Sequence, residues 1–309
     1  MSRVVIALGG NALLRRGEDD TAENMRRSAR AAAERVADIA ADWEVVVTHR
    51  NGPQVGRILL QQEAARGYVA PMPLDICGAE SQGQIGYLLQ TTIGDVFYGR
   101  GMERPVATIL TLTRVNRDDP AFGHPTKPIG PYYGEADAIR LAESEGYVMR
   151  PSSDGGWRRV VPSPSAYSIV EGPVIRRLVG EGVVVIAAGG GGVPVYEDGP
   201  RLTGLEGVVD KDLAAAILAR DVQASVLLVL TDVSGVFRAY GTEEATLLPR
   251  LSVAEGRQLI GAGEFGEGSM GPKVRAAVDF VESGGERAVI AALEDASRAL
   301  AGEAGTTIS

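Results

Sequence analysis

The chain has 309 residues, enough for one large α/β core or two modest domains. Hydrophobic residues make up 45% and aromatics only 5%, so the core is expected to be Val, Leu, Ile and Ala, the make-up of buried parallel strands and their covering helices. The net charge of −9 argues against nucleic acid or an anionic membrane as the main partner, and an anionic substrate would need locally concentrated positive charge.

A single cysteine, Cys77, excludes an internal disulfide framework and fits a reducing cytoplasm. With two histidines, His49 and His124, and no Cys/His cluster, a zinc site is not expected. The first apolar run, residues 3–8, is too short for a signal peptide or a membrane span and stops at Gly9-Gly10.

In chain order, Val4-Val5-Ile6-Ala7-Leu8 reads as a strand buried on both faces. Gly9 and Gly10 then let the backbone approach a ligand, and Asn11 can offer its amide. From Thr21 to Asp42 the residues Met25, Ala29, Ala32, Val36 and Ile39 recur at helical spacing. A second strand, 44–48, ends at the turn His49-Arg50-Asn51-Gly52-Pro53-Gln54-Val55-Gly56, which leads into a helix over Arg57 to Ala65, with Pro53 suited to its first turn. His49 is a candidate base or a hydrogen-bonded structural residue. Polar turns at neighbouring strand ends are where open parallel sheets bind ligands.

A long helical pattern covers Asp75 to Phe97, with Ile85, Leu88, Leu89 and Ile93 on a face suited to core packing or a subunit contact, and 106–110 is a third strand. Between Arg114 and Val161 proline, glycine and aromatics crowd in and 138–144 is at best a short helix. This stretch predicts an excursion from the main sheet with Lys127 at a proline-stiffened tip. A strand at 183–187 precedes Gly189-Gly190-Gly191-Gly192-Val193-Pro194, where proline and the polar segment 197–200 replace the helix that a dinucleotide fingerprint requires. The acidic-basic-acidic triplet Asp210-Lys211-Asp212 opens an alanine-rich helix, a position whose unpaired N–H groups attract anions. Val226 to Asp232 is a buried strand ending in an acid, and the segment from Ser234 to Gly241 offers an apolar face for a purine. Ser252 to Glu255 is a capping box, 261–271 is a glycine-rich stretch delivering Met270 and Lys273 to a helix over 272–282, and 288–292 and 305–308 are closing strands.

Only three of the 31 basic residues are lysines: Lys127, Lys211 and Lys273. Each stands in an odd local sequence rather than on a solvated helix face. A lysine ammonium is a compact charge with rotatable donors, suited to a moving phosphoryl oxygen in a way that the wide guanidinium fork is not.

These segments together resemble the carbamate kinases of the amino acid kinase superfamily. The resemblance is carried by 7–12, Asn51-Gly52-Pro53-Gln54-Val55-Gly56, 125–131, 155–164, 189–195, Asp210-Lys211-Asp212 and Gly268-Ser269-Met270-Gly271-Pro272-Lys273. It implies an α/β three-layer sandwich with an open, mainly parallel sheet of about eight strands, one domain over 1–309 with a protruding lid-like subdomain at 115–160, and a cytoplasmic homodimer. It implies reversible transfer between carbamoyl phosphate and MgADP, with Mg²⁺ carried on the nucleotide and no metal site of the protein's own.

By the same resemblance Lys127, Lys211, Asp212 and Lys273 are catalytic, and Gly9, Gly10, Asn11, Asn51 and Gly52 form the carbamate side. Asp232, Tyr240, Met270 and Lys273 line the nucleotide. One position departs from the pattern, since Arg50 stands where these kinases carry glycine, and this leaves substrate identity open. The alternatives are a superfamily kinase for another small acid and a protein that binds nucleotide or carbamoyl phosphate without turnover.

Overall fold

The computed structural model describes residues 1–14, 17–19, 21–152, 155–266 and 270–309, with the side chain of Asn11 left aside. The first half of the chain runs β1 (Arg3–Leu8), α1 (Ala22–Ala40), β2 (Glu44–His49), α2 (Gly52–Ala65), α3 (Leu74–Gly99), β3 (Val106–Thr108) and β4 (Leu112–Val115). It continues with β5 (Lys127–Tyr133), α4 (Glu135–Glu145), β6 (Met149–Pro151), β7 (Trp157–Val161), β8 (Ala166–Ile169), α5 (Gly172–Gly180) and β9 (Val184–Ile186). After β10 (Val193–Asp198) and β11 (Arg201–Gly204) come α6 (Lys211–Asp221), β12 (Val226–Thr231) and the short β13 (Phe237–Arg238), β14 (Thr246–Leu247) and β15 (Arg250–Leu251). The chain closes with α7 (Val253–Gly261), α8 (Met270–Glu282), β16 (Arg287–Ala292), α9 (Ala296–Leu300) and β17 (Thr306–Ile308).

Eight strands form the main sheet in the order β15-β17-β16-β12-β1-β2-β9-β3, parallel throughout except where β17 runs antiparallel to β16. The alternation of side chains along β1 divides the core between the two faces. Val4, Ile6 and Leu8 pack on one side with α1, α3 and α9. Val5 and Ala7 face the other side, with α5, α6 and α8. Because both faces are covered, the central strands are apolar at consecutive positions, and that is why unbroken runs rather than alternating ones marked them in the sequence. Among the described residues no helix is long and apolar enough to cross a membrane.

The segment after the glycine turn, where the sequence places no helix, is a β-hairpin, β10–β11, which with β4 and β8 builds a second, four-stranded sheet. Two sequence expectations need correction. The short helix of the excursion is α4, three turns long, opened by Glu135 and Asp137 in its first turn and closed by left-handed Gly146. Lys127 is not at a loop tip. It begins β5, opposite Val161 of β7, in a three-stranded antiparallel sheet completed by β6.

This small sheet rests on α2. Ile129 packs with Val55, Leu74 and Val161, while Tyr133 donates to Glu63 Oε2 at 2.9 Å and Arg66 pairs with Glu145.

Candidate active site

Parallel strands send their carboxyl ends to one edge of the sheet, so the turns after β1, β2, β9 and β12 are neighbours there. The turn after β9 is shaped by close packing. Gly190 has φ 67°, and a Cβ on it would lie 2.0 Å from Asn51 Nδ2. Ala188 before it also takes a left-handed backbone, held by Thr48 Oγ1 donating to its carbonyl and by its own N–H donating to Thr111 Oγ1, each at 2.9 Å. Asn51 in turn donates from Nδ2 to Ser81 Oγ at 2.8 Å, which ties the turn after β2 to α3.

His49 is buried beneath this turn. Its Nδ1–H donates to the Arg50 carbonyl at 3.0 Å, and its pKa is lowered to about 4 by burial, with the Lys211 charge adding to the effect and the Arg50 bond opposing it. The edge carrying Cε1 and Nε2 is packed against Gly189, where a Cβ would come within 2.4 Å. Of the two roles open to His49, the structural one fits this enclosure.

The start of α6 gathers the lysines. Asp210 is the N-cap, its Oδ1 accepting from the Asp212 N–H at 2.9 Å, and its other oxygen accepts from Lys127 Nζ at 2.9 Å. Asp212 is almost completely buried and divides its carboxylate between two ammonium groups. Lys211 donates to Oδ1, and Lys273, from the first turn of α8, donates to Oδ2 at 3.1 Å. Three lysines from β5, α6 and α8 thus converge on two carboxylates two residues apart on one helix N-terminus.

The charges shape one another. Burial pushes the Lys211 pKa down, Asp212 raises it by charge and hydrogen bond, and Lys273 and Arg50 lower it again. Burial would raise Asp210, but the charge and hydrogen bond of Lys127, with the Asp212 N–H and Lys211, hold its carboxyl below the usual range.

Among the remaining sequence candidates, Gly9 and Gly10 follow β1, and a Cβ on Gly9 would stand 2.7 Å from the Leu230 carbonyl, so β12 lies against this turn. Gly52 opens α2. Asp232 accepts from Thr231 Oγ1 at 3.1 Å and lines a cavity of about 260 Å³ together with Gly9, Ser28, Leu230 and Glu294. Tyr240 and Met270 do not line that cavity. Tyr240 is exposed and tilts against Phe237 with ring centroids 5.9 Å apart, and Met270 opens α8 against the core. The Asn11 side chain and the motif residues Gly268 and Ser269 lie outside the described residues.

The sequence model of the amino acid kinase family matches residues 2–292. The carbamate kinase of Pyrococcus horikoshii is 49% identical over 99% of both chains, and that of Halobacterium salinarum is 50% identical over 100% of this chain and 98% of its own. Among solved structures, carbamate kinase from Giardia lamblia bound to AMP-PNP superposes with a TM-score of 0.94 at 40% identity, covering 99% of this chain and 98% of that one. The chain belongs to the carbamate kinases of the amino acid kinase family. It has carbamate kinase function and is a phosphotransferase.

Among carbamate kinase features of this chain, Asp210 is the participant that residue-type reasoning undervalued. Its position before an alanine-rich helix announces a cap, but its grip on Lys127 arises from a strand 83 residues away. Ser81 and Thr111 gave no local signal, since each is an ordinary helix or strand-end residue until the fold sets it beside a turn.

Proposed function

We propose that the cluster on α6 carries phosphoryl transfer between carbamoyl phosphate and MgADP, reversibly. An ADP β-phosphate oxygen bonds to phosphorus as the bond from phosphorus to the carbamoyl oxygen breaks, giving ATP and carbamate. Both the attacking and the leaving oxygen are anionic, so no general base is required, and catalysis reduces to in-line placement and positive charge on the equatorial oxygens.

The observation that carries this reading is the convergence of Lys127, Lys211 and Lys273 on Asp210 and Asp212. In this reading Lys211 and Lys273 flank the transferred group, Asp212 orients both, and Lys127 comes in from the small sheet. Gly9, Gly10, Asn11, Asn51 and Gly52 make the carbamate side, while Asp232, Tyr240 and Met270 serve the nucleotide with Lys273. The AMP-PNP bound to the Giardia lamblia relative supports an adenine nucleotide as the second substrate.

Mg²⁺ enters as part of MgADP. Both carboxylates of the cluster are engaged by lysines, and no group of three His, Cys, Asp or Glu suited to a metal occurs among the described residues. An ion that favours substrate phosphates and water as ligands fits such a site. It would supply further charge neutralisation on the phosphates.

Residues 115–160 act in this reading as a lid over the reaction within a single domain, supported by the docking of β5 on α2. The working unit is a cytoplasmic homodimer. The buried lone Cys77 supports a reducing compartment, and the exposed apolar Tyr68, Val69, Met72 and Ile76 support a subunit contact.

Incubation of the purified chain with carbamoyl phosphate and MgADP, read by luciferase, should give prompt ATP. ATP formed only from other acyl phosphates would replace the substrate assignment, and binding without ATP would end the catalytic one. Light scattering coupled to gel filtration should return twice the chain mass, and a monomer would refute the dimer.

A further inference from the structure

Arg50 lies between two anchored neighbours. Its carbonyl is held by buried His49, and Asn51 after it is tied to Ser81. The backbone is therefore fixed, and it directs the exposed side chain over the turn after β1. A Cβ built on Gly10 would lie 3.8 Å from Arg50 Nη1 and 3.9 Å from its Cδ.

Most arginines described here meet a carboxylate or a carbonyl. Arg50 has neither a salt bridge nor a side-chain hydrogen bond among the described residues. Its charge nevertheless acts on Lys211, lowering the pKa of that ammonium group against the pull of Asp212. Within the cluster, Lys127 pairs with Asp210, and Lys211 and Lys273 share Asp212. Arg50 adds a further cation at the neighbouring turn. Like charges are brought together at a cost that an anion between them removes.

We propose that Arg50 is a further substrate-binding residue, whose guanidinium over Gly10 takes phosphoryl oxygens of the acyl phosphate. This rests on the reading of the α6 cluster as an acyl phosphate site. A planar fork of donors matches two oxygens of a phosphoryl group. The side chain therefore strengthens binding of the phosphorylated substrate and contributes nothing to the nucleotide.

The test uses the full chain with Arg50→Met and Arg50→Lys. Binding of phosphonoacetamide, a carbamoyl phosphate analogue that cannot transfer its phosphoryl group, is measured by calorimetry without nucleotide. It should weaken at least about tenfold in Arg50→Met, the loss expected for one hydrogen bond between charged groups, and recover in part in Arg50→Lys. ADP affinity should stay within about twofold in both variants, since the side chain is placed on the other substrate.

In turnover, Arg50→Met should raise KM for carbamoyl phosphate with little change in kcat. Equal analogue binding by wild type and Arg50→Met, undetectable binding by wild type, or parallel loss of analogue and ADP would each overturn the assignment. Absence of ATP formation by wild type that still binds the analogue through Arg50 would instead strike the proposed reaction and leave this residue's role standing.

Discussion

Asp212 holds two lysines with one side chain, and Asp212→Asn separates its charge from its shape. The amide keeps one acceptor oxygen and turns the other position into a donor, so it can hold Lys211 or Lys273 but not both. One ammonium is released from its place, and losing one preorganised donor at a transferring group costs about 2.7–4 kcal/mol, a factor of ~10²–10³ in kcat.

A second signature follows from charge. Burial lowers the Lys211 pKa, and the two contributions from Asp212 are the ones that raise it against Lys273 and Arg50. With Asp212 neutral, that pKa falls further. In the proposed mechanism the ammonium form is the active one, so the alkaline limb of the kcat profile should move to lower pH, and part of the lost activity should return on acidification. Steady-state ATP formation across pH for wild type and Asp212→Asn measures both effects. A variant with full kcat, or a reduced kcat whose alkaline limb stays in place, would refute the idea that Asp212 sets the position and charge of Lys211.

Lys211→Ala and Lys273→Ala should each lower kcat at least about a hundredfold while circular dichroism shows an unchanged fold, and normal turnover would remove that lysine from the mechanism. Lys211→Arg should fail comparably, because the guanidinium fork does not fit a nearly buried place shaped for an ammonium; activity within about threefold of wild type would contradict this. His49 is neutral in the fold, with a pKa of about 4 against 6.5 when free. The unfolded chain therefore gains a proton as pH falls from 6.5 towards 4, and stability present above 6.5 is lost across that window, by about 3 kcal/mol at most. Urea denaturation should show this slope in wild type and a flatter one in His49→Gln, and equal slopes would count against it. Gly190→Ala should cost on the order of 1–3 kcal/mol from its left-handed backbone, more if Asn51 is displaced; unchanged denaturation would mean the turn relaxes freely.

The main sheet was readable because strands covered on both faces must be apolar at consecutive positions, as Val4 to Leu8 and Val226 to Leu230 are. The lysines were readable because their rarity set them apart. The second sheet was not. Its strand β10 carries Pro194, Glu197 and Asp198, and β4 pairs with partners far along the chain, so no local period announces them. The placement of Lys127 failed for a related reason. Prolines around it suggest a stiff tip, whereas its β-pairing with Val161 depends on a strand more than thirty residues later. Arg50 stood out in the sequence, but only the position of Gly10 shows where its guanidinium is directed.

The bond between Lys127 and Asp210 means that the resting protein does not keep this ammonium bare. In the proposed reaction an arriving phosphate competes with an aspartate already in possession, which trims the attraction it feels. The same aspartate is ready to reclaim the lysine when product departs, so the arrangement trades tightness of grip for ease of turnover.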